Sequence, residues 1–148
     1  MNGAKNQKNP SSKIKGYAFR LRPHDDLKKC VLQFGSINAL KAGAILSAVG
    51  SLEQYNIRFA NQPTGTLGKG FFEIISLVAT FSESSCHLHI CLSDEKGQTF
   101  GGHLLDENLI YTTAEIVAVS LEDLEFQRIT DTTYNYMELV VSRIRNNQ

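Results

Sequence analysis

The stretch that decides the fold is Cys86-His87-Leu88-His89-Ile90-Cys91-Leu92-Ser93, followed by Asp94-Glu95-Lys96-Gly97 and Gln98-Thr99-Phe100-Gly101-Gly102-His103-Leu104. Side chains alternate along a strand, so His87 and His89 share one face while Cys86, Leu88, Ile90 and Leu92 share the other. The apolar set faces a core. A three-residue loop, Glu95-Lys96-Gly97, with the glycine in the left-handed position of a type I turn, joins this strand to the next. It pairs Asp94 with Gln98, which sets Leu92 opposite Phe100, Ile90 opposite Gly102 and His89 opposite His103. All three imidazoles then lie on one face. A two-residue loop would shift the register by one and send His103 to the other side.

Directly opposed strand residues have Cβ atoms about 5 Å apart, close enough for two imidazoles to chelate a divalent ion such as zinc. His87 supplies a third nitrogen. Three nitrogens leave a fourth position for water or a ligand, as in catalytic or sensing sites rather than closed structural ones. The plainer alternative is a set of surface histidines on a wet sheet face. Gly101 and Gly102 favour a site by leaving room for close approach.

Outward from this hairpin, alternation continues in both directions. Upstream, Tyr17, Phe19 and Leu21 alternate with Arg20 and Arg22 as in a half-buried strand, which Pro23 ends. Leu27, Cys30, Val31 and Phe34 then follow helical spacing, with Asp25 and Asp26 in the first turn and an end near Gly35 or Asn38. The rest reads as strands over 44–49, 52–59, 71–81, 86–93, 99–104, 112–121, 124–130 and 134–141, with Asp131-Thr132-Thr133 turning the last pair. One helix and many hairpin-connected strands predict an α+β domain, an antiparallel-rich (mixed) β-sheet packed on one main α-helix.

Other residues invite chemistry less strongly. Glu115 shares its strand face with Val117, Val119 and Leu121, so it needs a partner: a metal-bound water, a ligating histidine, or an arginine. Glu73, among Ile75, Leu77 and Ala79, is expected to meet Arg20, Arg22 or Arg58. Cys91 falls on the histidine face but reads as a small buried thiol. His24-Asp25-Asp26 reads as helix capping. Gly65-Thr66-Leu67-Gly68-Lys69-Gly70 has a Gly-Lys step but lacks the phosphate-loop pattern, and it reads as a mobile connector. No nucleophile elbow is present.

The chain of 148 residues carries 15 basic and 15 acidic side chains. That is the size of one domain, with no cationic surplus for generic nucleic-acid affinity. Charge is uneven, however: residues 1–41 hold nine basic and two acidic residues, and residues 83–138 two basic and eleven acidic. No apolar run is long enough for a membrane-spanning helix, and residues 1–15 lack the apolar stretch of a secretory signal. A cytoplasmic location with three reduced cysteines is the expectation. Residues 1–13 read as a disordered polar tail, 14–142 as the folded domain and 143–148 as a C-terminal tail.

Taken in order, several motifs compose a family pattern. They are Arg22-Pro23-His24-Asp25-Asp26-Leu27, Ala42-Gly43-Ala44-Ile45-Leu46-Ser47-Ala48-Val49-Gly50-Ser51, Gly70-Phe71-Phe72-Glu73-Ile74-Ile75-Ser76-Leu77, His87-Leu88-His89, Gly101-Gly102-His103-Leu104 and Thr112-Thr113-Ala114-Glu115. Over about residues 15–141 the chain resembles the PPC (plants and prokaryotes conserved, also PCC) domain. The resemblance implies an α+β fold, a homotrimer, and a metal site that carries over to His87, His89 and His103. It also implies partner contacts at Gly70, Phe71, Phe72, Glu73, Ile74 and Ile75, although the plant segment has an arginine where Phe71 stands. DNA binding in the plant relatives is attributed to an Arg-Gly-Arg-Pro hook that this sequence lacks. The expected function is a non-enzymatic, homotrimeric, DNA-associated regulatory module with a divalent metal, zinc first, that touches DNA weakly. A metal-dependent enzyme or small-molecule sensor on the same site is the alternative, with Glu115 handling the proton.

Overall fold

The computed structural model describes residues 9–144. It contains β1 (Ile14–Leu21), α1 (Leu27–Ile37), β2 (Gly43–Arg58), β3 (Thr66–Phe81), β4 (Cys86–Ser93), β5 (Thr99–Leu104), β6 (Leu109–Leu121), β7 (Leu124–Asp131) and β8 (Tyr136–Arg143). The α+β reading holds: a six-stranded sheet runs β1-β6-β2-β3-β4-β5, and every pairing described is antiparallel. The far end of β2 also pairs with β5, so β2 to β5 close on themselves there. β7 and β8 form a separate hairpin.

The helix starts where its cap dictates. Asp26 takes an extended conformation and its carboxylate accepts from the backbone N–H of Lys29, satisfying one of the amide groups that a first turn leaves open. Asp25 instead accepts from the Arg22 amide, so both aspartates precede the helix rather than occupying its first turn. Leu27 and Val31 are fully buried, each stabilising the fold by about 1.5–3 kcal/mol through lost water contact. Phe34 stacks on Phe19 at 4.3 Å between ring centroids and meets Tyr17 edge-on at 5.4 Å. Those contacts fasten the helix to β1.

Three expectations about the strands are corrected. The glycine-rich segment 65–70 is not a mobile connector: β3 begins at Thr66, and Leu67, Gly68 and Lys69 pair with Asn56, Tyr55 and Gln54. A Cβ at Gly68 would stand 2.5 Å from the Tyr55 ring, so glycine here serves close packing rather than freedom. Likewise 44–49 and 52–59 are one strand. It bends through irregularities near Gly50, where φ is +151° and a Cβ would lie 2.0 Å from the Thr113 carbonyl oxygen. The last hairpin also shifts, since β8 starts at Tyr136 rather than at 134.

A bulge in β3 between Ile74 and Ser76 reverses the alternation beyond it. Leu77 therefore joins the core while Glu73 stays exposed. This removes the apolar surroundings that seemed to demand an arginine for Glu73. Among the described residues it makes no ion pair; Ser51 and Ser93 stand opposite it.

The expected polar tails over residues 1–8 and 145–148 lie outside the described residues. Ser12 and Lys13 bond the β6–β7 turn, with the Lys13 amide donating to Asp123 at 2.7 Å and Ser12 Oγ accepting from the Asp123 amide. No helix of the described residues is long and apolar enough to cross a membrane.

Candidate functional site

The β4–β5 turn takes the expected form. Gly97 has φ +76° and its amide donates to the Asp94 carbonyl, while the Asp94 carboxylate accepts from the Lys96 and Gln98 amides. The register follows: Leu92 faces Phe100, Ile90 faces Gly102 and His89 faces His103. On the other edge of β4, His87 faces Thr80 and His89 faces Val78.

The three imidazoles converge. Ring centroids lie 5.0 Å (His87–His89), 4.9 Å (His87–His103) and 5.4 Å (His89–His103) apart. One ligand nitrogen from each lies within 4.8 Å of the others, and the Nε2 atoms of His87 and His89 are 3.1 Å apart. Tetrahedral zinc with Zn–N of about 2.0–2.1 Å needs nitrogens roughly 3.4 Å apart. Small imidazole rotations bridge that difference, so the donor set fits a divalent metal. Two of the donors are disposed to be neutral: burial, reinforced by the charge of Arg128, pushes the His87 pKa down. Burial and the neighbouring cations hold His103 at about 4. Neutral imidazole is the form that binds metal.

Gly101 and Gly102 act differently from the expectation. A Cβ at Gly101 would sit 2.2 Å from the Ile90 carbonyl oxygen, and one at Gly102 2.7 Å from that of Arg58. Their space is taken by neighbouring backbones, which brings β2, β4 and β5 together. Buried Asn108 secures the same corner: its Oδ1 accepts from the Asn56 amide, and its Nδ2 donates to the carbonyls of Leu105 and Asn56.

The histidines line a cleft of about 800 Å³ with Arg58 and Phe59 from β2 and its end, and Arg128, Tyr136, Met137 and Glu138 from the β7–β8 hairpin. Arg58 stands opposite His103 in the strand pairing. Arg128 donates to Thr80 Oγ1 at 2.9 Å and lies 3.4 Å from His87 Nδ1. Sequence reasoning missed both arginines in this role. The one available signal was that Arg128 is one of two basic residues between 83 and 138, on a strand 41 positions beyond His87.

Other candidates fall away from the cleft. Glu115 is exposed on β6, opposite Arg20 and Val49, nine positions along β2 from Arg58. The Arg20 guanidinium engages Thr113 and the Thr112 carbonyl instead. Cys91 is half-buried opposite Gly101 and Ser76. Cys86 lines the cleft, but burial raises its thiol pKa, which keeps it out of the reactive thiolate form. His24 Nδ1 meets Glu53 at 2.6 Å beside the helix start. The segment 70–75 lies in β3, with Phe71 and Ile75 exposed.

A one-helix antiparallel sheet with three imidazoles at a cleft defines a class of small sheet domains built around a histidine cluster. The model of the Plants and Prokaryotes Conserved (PCC) domain matches residues 8–122. The chain belongs to that family. A hypothetical protein from Salmonella enterica is similar at 34% identity and TM-score 0.88, over 90% of this chain and 97% of its own. A metal-containing protein from Archaeoglobus fulgidus shares the fold at 23% identity and TM-score 0.76, over 90% and 99%. A DNA-binding candidate from Bacteroides thetaiotaomicron does so at 19% and 0.72, over 92% and 100%. Among curated proteins, the bifunctional protein GlmU of a Synechococcus strain is 38% identical over 91% of this chain, which spans 22% of that relative's length. The β7–β8 hairpin lies beyond the residues matched by the family model.

Proposed function

We propose that this protein is a homotrimeric, cytoplasmic regulatory module of the PCC family that acts by binding, and that His87, His89 and His103 hold one divalent metal, zinc first. The observation that carries this reading is the convergence of three ligand nitrogens within 4.8 Å on a hairpin whose turn and register put all three imidazoles on one face. The metal-containing Archaeoglobus relative supports it. When bound, the metal supplies an open coordination position that accepts a ligand donor. The protein's own residues orient the imidazoles and, by partial burial, favour the neutral form of His87 and His103. Trimerisation is supported by Leu46, Val49, Phe71, Ile75, Val78 and Val117, which stand exposed on strands of the sheet; a monomer rarely leaves so much apolar surface to water. Partner contact at Gly70, Phe71, Phe72, Glu73, Ile74 and Ile75 belongs to the same reading. DNA contact is weak and serves localisation rather than sequence reading.

The metal-dependent enzyme reading loses its proton carrier, since Glu115 sits outside the cleft. Metal analysis of the purified protein tests the proposal. About one divalent ion per chain is expected, falling to background in H89A while particle mass in light scattering stays unchanged. Stoichiometric metal in H89A overturns the assignment.

A further inference from the structure

Arg58 and Arg128 are half-buried beside the histidines, and neither has a carboxylate within 4.0 Å among the described residues. Glu138, exposed on the hairpin, is the single acidic residue among those lining the cleft. Two guanidinium groups in a recess already suited to a metal cation make a strongly positive surface, and half-buried charge of one sign is costly until an anion answers it. The planar fork of arginine matches carboxylate and phosphate oxygens in particular.

We propose that the cleft binds a small anion bearing a carboxylate or phosphate group, gripped by Arg58 and Arg128 beside the coordination position that the three histidines leave open. This rests on the metal reading above and names the ligand class of the same site. The cleft has the volume of a small-molecule site, and Phe59, Tyr136 and Met137 line it with apolar surface, so the anion carries a short organic body rather than a long charged chain.

The tautomer of His87 connects the two parts. In the arrangement described, His87 Nδ1 faces Arg128 Nη1, a group that can only donate. Were a metal held through Nε2, neutral His87 would carry its proton on Nδ1 and have no lone pair left for Arg128. That guanidinium arm would then be free for the ligand while the other keeps Thr80. Metal and anion should therefore bind with positive coupling.

Calorimetry on the full chain, zinc-loaded and metal-free, tests this with succinate, inorganic phosphate and neutral succinamide as probes. The visible spectrum of the cobalt-substituted protein gives a second readout. Succinate or phosphate should bind the loaded protein at least tenfold more tightly than succinamide and shift the cobalt bands. The tighter of the two identifies the group recognised. R128Q and R58Q, compared with wild type at matched metal content, should each weaken the anion tenfold or more, and R128K should recover part of the loss. Anion binding equal to wild type in both glutamine variants, or none to the loaded protein, overturns the proposal. If the protein takes up no metal, the metal reading fails by itself. The anion subsite is then judged on the metal-free protein, where loss of binding in R128Q supports it and absence of binding in the wild type refutes it.

Discussion

The two faces of the six-stranded sheet are made from neighbouring residues of the same strands, yet they do opposite things. On one, Leu77, Leu88, Ile90, Ile116 and Ala118 are sealed beneath the helix and its surroundings. On the other stand the exposed Val49 and Val117 and the exposed Val78, with His89 opposite it in register. Stability is concentrated on the first face and chemistry on the second. The division is as fine as one residue: Leu77 is 2% exposed and Val78, the next in sequence, 57%.

That pair offers the sharpest way to break the comparison. Leu77→Ala should cost about 2–5 kcal/mol of folding stability in urea titrations, the usual range for a cavity in a packed core. Val78→Asp should leave the monomer fold standing and instead reduce the particle from about three chains to one in light scattering, because a carboxylate cannot be buried unpaired at an interface. Similar losses of folding stability in both variants would erase the distinction between the faces.

Acid should act on the histidines of the open face, and more gently. His103 has a pKa of about 4 in the fold, below its ordinary value near 6.5. Between those limits the unfolded chain takes up a proton that the folded one refuses, so the stability of metal-free protein falls as pH drops through the window and levels off beneath it. Thermal melts should show the midpoint declining across that range in wild type and declining less in His103→Phe. An equal slope in the two would place the titration elsewhere.

DNA binding should be the smallest effect. With equal numbers of basic and acidic residues, any affinity for duplex should be indifferent to sequence and should fall steeply with salt, since phosphate neutralisation is its source. Deleting residues 1–13, which contain Lys5, Lys8 and Lys13, should reduce it further. Tight, sequence-selective binding by the truncated chain at physiological salt would require a reading surface on one of the two faces.

How much of this was legible in the sequence depended on how local the cause was. The histidine triad came through because one turn and strict alternation fix it over eighteen residues, and both hold at Gly97 and Asp94. The helix was legible from Leu27, Val31 and Phe34, and its cap from Asp26. Alternation misled at Glu73 because the bulge at Ile75 leaves no mark on residue type. The glycines of 65–70 suggested freedom where the Tyr55 ring demands close approach, a contact made across a strand pair. Arg58 and Arg128 were the hardest to place, being brought to the cleft by a strand crossing and by a separate hairpin that starts twenty-one residues beyond His103.

The origin of Arg128 has an evolutionary corollary. The hairpin that supplies it follows the last residue matched by the family model and pairs only with itself among the strands, so its sequence can drift without disturbing the hydrogen bonds of the main sheet. On the proposed reading the metal ligands lie wholly in the β4–β5 hairpin inside the matched residues, whereas the grip on the anion is shared between Arg58 of β2 and Arg128 of the outlying hairpin, so variation in that hairpin alters one half of the anion site and leaves the metal ligands untouched.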